Sequence, residues 1–332
     1  MQLPAPTDTL PPLGFQERTP DPVKIVFFGS SDFAIPSLET LVEVGLKPSL
    51  VVTKPDAPRG RGRKIYPAEV RLAAENLKLD CEQPADVNAG EFLDRLQKLQ
   101  PDIGVVVSYG VILGPRLLEL PEHGCINAHA SLLPAYRGAG PIQHAIRDGC
   151  KETGITIIRL GRELDAGDIL LQRKTPIGDT ENAGELRERL AKMAGEVLVE
   201  GLRTIADGAA TYTPQDHSKA TRASKIEKPD GVIDWSKPAT EIDLLVRAMT
   251  PKPGAQTRLG AKRFIVMEGT VEQDIYGLGV AGMIQSGGEE GIRVCTGKDL
   301  FRITRIKPEN GRNMTAGEFV RGHPLPPDAR FG

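Results

Sequence analysis

The 332-residue chain is poor in cysteine, with only Cys81, Cys125, Cys150 and Cys295. No two of them form a C-x-x-C pair and no His stands at a zinc-ligand spacing from them, which argues against a disulfide framework or a structural zinc and for a reducing, cytoplasmic setting. Cys125 lies in an apolar run and reads as a small core residue rather than a catalytic thiol. No apolar run is long enough to span a bilayer. The net charge is only −2, so no global positive field announces a nucleic-acid partner, and any such signal has to be local. The first strand–helix turn, GSSDFAIPSL, has Gly29 but lacks the other glycines of G-x-G-x-x-G, which counts against a nicotinamide oxidoreductase. A turn with a helix cap from Ser30, Ser31 or Asp32 is the expectation there. Residues 1–22 carry Asp8, Glu17 and Asp21 against Arg18 alone. They lack the apolar core of a signal peptide and the basic character of a transit peptide, and read as a loosely ordered extension.

What is present is a soluble, globular composition, 39% hydrophobic and 26% charged, on a chain long enough for two domains. VKIVFFG (23–29), PSLVVT (48–53) and DIGVVVS (102–108) are short, continuous β-branched runs and predict buried strands. Helical spacing lies between them, through Phe33, Leu38, Leu41 and Val44, then in PAEVRLAAENLKL and AGEFLDRLQKL. GCINAHA, TGITIIRL and DILLQRKTPI add strands, a helix is expected from about Pro141, and AGELRERLAKMAGEVLVEGLRTIADG is a long amphipathic helix. Strands alternating with helices imply a Rossmann-like α/β fold with a mainly parallel sheet. After Gly208 the pattern turns polar and aperiodic through residue 231. Short strands separated by Gly-containing turns follow (GVIDWS, RFIVMEGTV, GMIQSG, GIRVCTG, DLFRITRI), with one helix, ATEIDLLVRAM. This predicts a smaller C-terminal β-barrel, OB-like in class. The expected division is an extension over 1–22, an α/β domain over 23–208, a linker over 209–231 and the barrel over 232–332.

Three stretches carry chemistry. KPDAPRGRGRKIYP (54–67) sets Lys54, Arg59, Arg61, Arg63 and Lys64 against Asp56 alone, with Pro and Gly excluding a helix. It is too long for an ordinary βα connection, and its cations are spaced to reach successive phosphates; a merely solvated basic loop fits the same residues equally well. In GCINAHASLLPAYRGAGPIQHAI (124–146), Asn127 and His129 project from one face of an extended strand, with Ala128 and Ala130 on the other. Both polar tips belong near the carboxyl end of the strand, where open α/β sheets bind ligands. An amide beside an imidazole suits a carbonyl oxygen that becomes negative, although a hydrogen-bonded structural His fits the dyad as well. RELDAGDILLQ (162–172) adds Asp165 and Asp168 around a turn. An Asp there either caps backbone N–H groups or, brought to His129, orients its ring.

Taken in order, GSSDFA, KPDAPRGRGRK, SYGVILG, GCINAHASLLPAYRGAGPIQHAI, ETGITI, LDAGDIL and IDWS resemble the methionyl-tRNA formyltransferases within the folate-dependent formyltransferase family. The likeness is strongest from Ser108 to Leu171 and thin after Trp235. Family members often have Thr-Pro at Ser30-Ser31 and Gly at Ala130. The resemblance implies transfer of the formyl group of 10-formyltetrahydrofolate to the α-amine of methionyl initiator tRNA, without a metal. It implies a catalytic trio of Asn127, His129 and Asp165, folate-contacting positions at Ser131, Leu132, Leu133 and Pro134, and tRNA contact by Lys54, Arg59, Arg61, Arg63 and Lys64. The C-terminal domain would then bind tRNA. Formylation of a small amine or sugar nucleotide is the close alternative. Hydrolysis of the donor, and a tRNA-binding module without activity, stand further off.

Overall fold

The computed structural model describes residues 23–59, 64–274, 279–326 and 328–332. The expectation for residues 1–22 lies outside the described residues. By packing, the chain divides into two compact units. One comprises the chain up to His129 with Thr156–Gln172 and Ala191–Gln215; the other comprises Ala130–Ile155, Arg173–Leu190 and the chain from Asp216.

The first unit is built on a sheet whose central strands are the apolar runs of the sequence. Its strands are β1 (Ile25–Gly29) and β2 (Leu50–Val52), then, after a separate two-stranded hairpin of β3 (Ala57–Arg59) and β4 (Lys64–Tyr66), β5 (Cys81–Glu82), β6 (Ile103–Val107), β7 (Cys125–His129), β8 (Glu152–Arg159) and β9 (Ile169–Pro176). The order is β5-β2-β1-β6-β7-β8-β9. The pairs from β5 to β7 are parallel, whereas β7 and β8 are antiparallel, in line with the expected mainly parallel sheet. Strands buried on both faces need uninterrupted apolar sequence, and every residue of β1 and β6 is buried. Helices α1 (Ile35–Glu43), α2 (Glu69–Asn76) and α3 (Gly90–Leu99) follow the predicted segments, and a short α4 (Pro115–Leu118) precedes β7.

On one face, Phe92, Leu93 and Leu96 of α3 pack with Val26, Phe28, Val52, Val106 and Tyr109. Each such side chain contributes about 1.5–3 kcal/mol by leaving water. Cys125 belongs to the same cluster, against Gly104 of the neighbouring strand. Burial pushes its thiol up to about 12, so it is an inert core residue, as expected.

The expected cap at the first turn takes another form. Ser31 makes no side-chain cap, and the helix is entered through a single 3-10 turn, Asp32–Ala34. The Ser31 hydroxyl is instead hydrogen-bonded to that of Ser108 at 2.7 Å, and Ser30 Oγ accepts from the Lys54 N–H at 3.2 Å. The hydroxyls stitch together the carboxyl ends of β1, β2 and β6.

The second unit has α5 (Pro141–Arg147), the start of the long α6 (Ala183–Ala206), whose residues from Ala191 belong to the first unit, then α7 (Ala239–Met249) and an antiparallel sheet. That sheet has β10 (Ala255–Leu259), β11 (Lys262–Glu272), β12 (Ile284–Gly288), β13 (Gly291–Cys295) and β14 (Leu300–Pro308), with β15 (Met314–Thr315) on β14 and α8 (Ala316–Gly322) after it. The path β10-β11-β14-β13-β12 is closed by the chain end. Arg330 bridges Met283 beside β12, and Phe331 bridges Leu259 of β10. Phe331 fills the interior, stacked on Trp235 at 5.7 Å and edge-on to Phe264 at 6.2 Å. GVIDWS is no full strand: Val232 makes a single bridge to Gln256 of β10, and the chain then turns from Asp234. The Asp234 carboxylate accepts from the Ser236 N–H and hydroxyl, which folds the chain back and sends Trp235 inward to donate to Thr257.

Candidate active site

β7 explains the spacing of Asn127 and His129. The strand pairs with β6 through Val106↔Asn127 and with β8 through Asn127↔Ile158 and His129↔Thr156. In this extended register Asn127 and His129 share a face. Asn127 is half-buried. His129, the last residue of β7, is 6% exposed. Thr156, its partner across the pair, is fully buried and accepts a 2.9 Å hydrogen bond from the Gln172 amide.

The carboxylate arrives from the loop between β8 and β9. Asp165 is 8% exposed, and its Oδ2 lies 3.7 Å from His129 Nδ1. This is within ion-pair range and longer than a direct hydrogen bond, as substrate-free catalytic pairs often are. With a carboxylate facing Nδ1, the two ring nitrogens have distinct surroundings. Asp168, the other acid of the stretch, is exposed, and its carbonyl closes the neck of the loop by accepting from the Arg159 N–H at 2.9 Å.

Several local features hold Asp165 in place. The Ala166 N–H reaches the Glu163 carbonyl at 3.4 Å, closing a turn in which Asp165 is the third residue with φ +51°. Turns with positive φ at that position favour Gly or Asn, and Asp tolerates it when hydrogen bonds hold the loop. Gly167 packs so closely on the Arg159 carbonyl that any Cβ would overlap its oxygen. Beyond the neck, Ile169 and Thr213 exchange both backbone hydrogen bonds, at 2.8 and 2.9 Å. Two residues later Gln215, 5% exposed, donates its amide to the carbonyls of Asp165 (2.9 Å) and Gly167 (2.7 Å). Sequence reading missed Gln215, which stands in a polar, aperiodic stretch without any motif.

The other sequence candidates are placed as follows. Ser131, Leu132, Leu133 and Pro134 form a tight turn closed by the Ala135 N–H on the Leu132 carbonyl at 3.1 Å, with a cis Leu133–Pro134 bond. The Ser131 hydroxyl donates to the Ala135 carbonyl at 2.6 Å; Leu133 is buried, and Leu132 and Pro134 are partly exposed. Aliphatic side chains on a bent backbone without charge suit a flat, neutral, hydrogen-bonding ring. Lys54 follows β2, and its ammonium lies over Gly110, where a Cβ would stand 2.8 Å from Nζ. Arg59 and Lys64 pair across the β3–β4 hairpin, whereas Arg61 and Arg63 lie outside the described residues. Asp56, the one acid of that segment, is engaged at its base. The Gln83 amide first, then the Ala68 N–H and Arg71, hold its carboxyl below the usual range against a desolvation that raises it. Its charge is therefore taken up by Arg71 at 2.7 Å.

Two family models match the chain: formyl transferase over residues 23–202 and formyl transferase, C-terminal domain, over residues 225–324. Methionyl-tRNA formyltransferase of Moorella thermoacetica is 40% identical over 93% of this chain and 99% of its own length. The protein of the same name from Halorhodospira halophila is 41% identical over 92% and 97%. Among solved structures, an N-formyltransferase from Helicobacter canadensis in complex with folinic acid and dTDP-3-aminofucose superposes with a TM-score of 0.65 at 18% identity, covering 85% of this chain and 99% of that one. HypX from Aquifex aeolicus in complex with tetrahydrofolic acid gives 0.61 at 15% identity, over 90% of this chain and 47% of that one.

Proposed function

The chain belongs to the formyl transferase family, and we propose that it moves the formyl group of 10-formyltetrahydrofolate onto the α-amino group of methionyl initiator tRNA, in the cytoplasm. The product is the N-formylmethionyl-tRNA that opens translation. The observation that carries the chemistry is the buried approach of the Asp165 carboxylate to His129 Nδ1 at the carboxyl end of β7. The full-length likeness to proteins named for this activity supports the choice of amine.

The substrate brings its own nucleophile, so no Ser or Cys is required. The methionyl amine attacks the formyl carbonyl as neutral –NH₂, and negative charge grows on the carbonyl oxygen. Asn127 donates its amide N–H to that oxygen. His129 donates from Nε2, with its Nδ1 proton held toward Asp165. One such donor is worth about 2.7–4 kcal/mol in comparable acyl-transfer sites. Asp165 stabilises the imidazolium and takes the proton lost by the amine, directly or through a water. That proton must then reach the departing nitrogen of the donor, and shuttling of this kind contributes typically ~10²–10⁴-fold. Ser131, Leu132, Leu133 and Pro134 hold the ring of the donor. Lys54, Arg59, Arg61, Arg63 and Lys64 contact tRNA phosphates, assisted by the C-terminal barrel. In this reading residues 23–208 form the catalytic domain, 209–231 a linker and 232–332 the tRNA-binding domain, after an extension over 1–22.

The test is incubation of the purified protein with 10-formyltetrahydrofolate and charged initiator tRNA, scoring N-formylmethionine against free formate and against formylated small amines. Formylmethionyl-tRNA as the dominant product is expected. Formate alone, or preferential formylation of a sugar nucleotide, overturns the reading.

A further inference from the structure

We infer that Gln215 is the positioning residue of the catalytic carboxylate, acting on Asp165 through the backbone of its loop. The inference rests on the reading of Asp165 as catalytic and concerns how that side chain is kept in place. Asp165 holds a left-handed backbone, φ +51°, a region that L-residues visit seldom and that Asn and Asp enter with the help of local hydrogen bonds. The Glu163–Ala166 turn bond is long at 3.4 Å and gives weak local support. The stronger support is the Gln215 amide, which donates at 2.9 and 2.7 Å to the carbonyls on either side of Ala166. Two donors on one planar nitrogen fix the separation and direction of both carbonyls, and so the direction in which the Asp165 side chain leaves. Gln215 is itself aimed by the Ile169–Thr213 bridge two residues earlier. It is 5% exposed, so water offers little substitute for a lost donor.

Gln215→Met keeps the length and removes both donors. We expect kcat to fall about 10–100-fold, the penalty of a misplaced reacting group. KM for either substrate should move by less than about threefold, because the ground-state contacts are untouched. The discriminating measurement is a double-mutant cycle. Because Gln215 works through Asp165, Gln215→Met should cost nothing further in an Asp165→Asn background, whereas a general structural role would add its loss to the double variant. Gln215→Glu keeps the protein testable should the Met variant fold poorly. Its carboxyl supplies one donor only when protonated, so its kcat relative to the parent should fall as pH rises. A parental kcat in Gln215→Met, additive losses in the cycle, or a Glu-to-parent ratio flat with pH overturns the inference. If Asp165→Asn alone retains the parental kcat, the reading of Asp165 falls and this inference with it. If Asp165→Asn is impaired and Gln215→Met is not, only the inference falls.

Discussion

Replacing Gly167 with Ala perturbs the loop at a point that touches no reacting group. The backbone there is not in the left-handed region, so the constraint is contact alone. A Cβ at 167 would overlap the Arg159 carbonyl oxygen and stand 3.0 Å from its carbon, with backbone on both sides and no flexible tip to yield. The loop must recede by on the order of 1 Å, a displacement that far from the chemistry can still cost ~10²-fold in rate. The Arg159–Asp168 neck bond, 2.9 Å, is the first casualty, at about 1 kcal/mol. The overlap is with backbone, which does not yield cheaply, so the entropy that Ala removes from the unfolded chain does not cover it, and stability should fall by about 1–3 kcal/mol. The approach of Asp165 to His129, already 3.7 Å, then opens beyond ion-pair range. A single-turnover transfer rate of about 1% of the parent, measured well below a modestly lowered melting temperature, is the expected result. Gly161→Ala is the matched control: the same loop, but a site with no atom within 4 Å of the added methyl, and it should keep the parental rate. A fully active Gly167→Ala protein would refute the claim that this loop's packing places the carboxylate.

Asp165→Asn should depress kcat far more than either KM, measured at saturating donor; an unchanged kcat removes Asp165 from the mechanism. Removing the charges of Arg61 and Arg63 should weaken tRNA binding and flatten its salt dependence, since fewer counterions are released; equal slopes for variant and parent assign the segment another role. Phe331, 1% exposed among Trp235 and Phe264, should cost about 3–5 kcal/mol as Phe331→Ala in denaturant unfolding. A loss well under 1 kcal/mol would mean the barrel does not depend on its closing segment.

Some of this was legible in the sequence because a physical period announced it. β1 and β6 are apolar runs buried at every residue, and in β7 the two-residue alternation puts Asn127 and His129 on one face. Other elements gave no such signal. β10, AQTRL, alternates too weakly to stand out, and α8 is announced mainly by its Thr315–Glu318 capping box. GVIDWS has the β-branched and aromatic content of a strand, but the Asx turn at Asp234 overrides propensity. Ser31 was a plausible cap until a neighbouring strand end offered Ser108. The approach of Asp165 to His129 depends on how a loop folds, which no period encodes. Gln215 could not be found at all from its own stretch, because a side chain that serves another segment's backbone leaves no local pattern.

The backbone of Asp165 sharpens the division between folding and function. Holding a non-glycine residue in the left-handed region costs roughly 1–2 kcal/mol, less for Asn and Asp, whose short side chains both tolerate it. The backbone at 165 therefore does not distinguish Asp from Asn, and the exchange changes the charge alone. What singles out Asp165 from Asp299 and Asp328, which share its positive φ, is its tether to Gln215 and the imidazole it faces. The corollary is that Asp165→Asn should melt no lower than the parent while losing activity, which separates chemistry from stability in one protein. Were the Asn variant instead to unfold markedly earlier, the carboxylate would be holding the loop together, and its place in proton transfer would have to be argued on other ground.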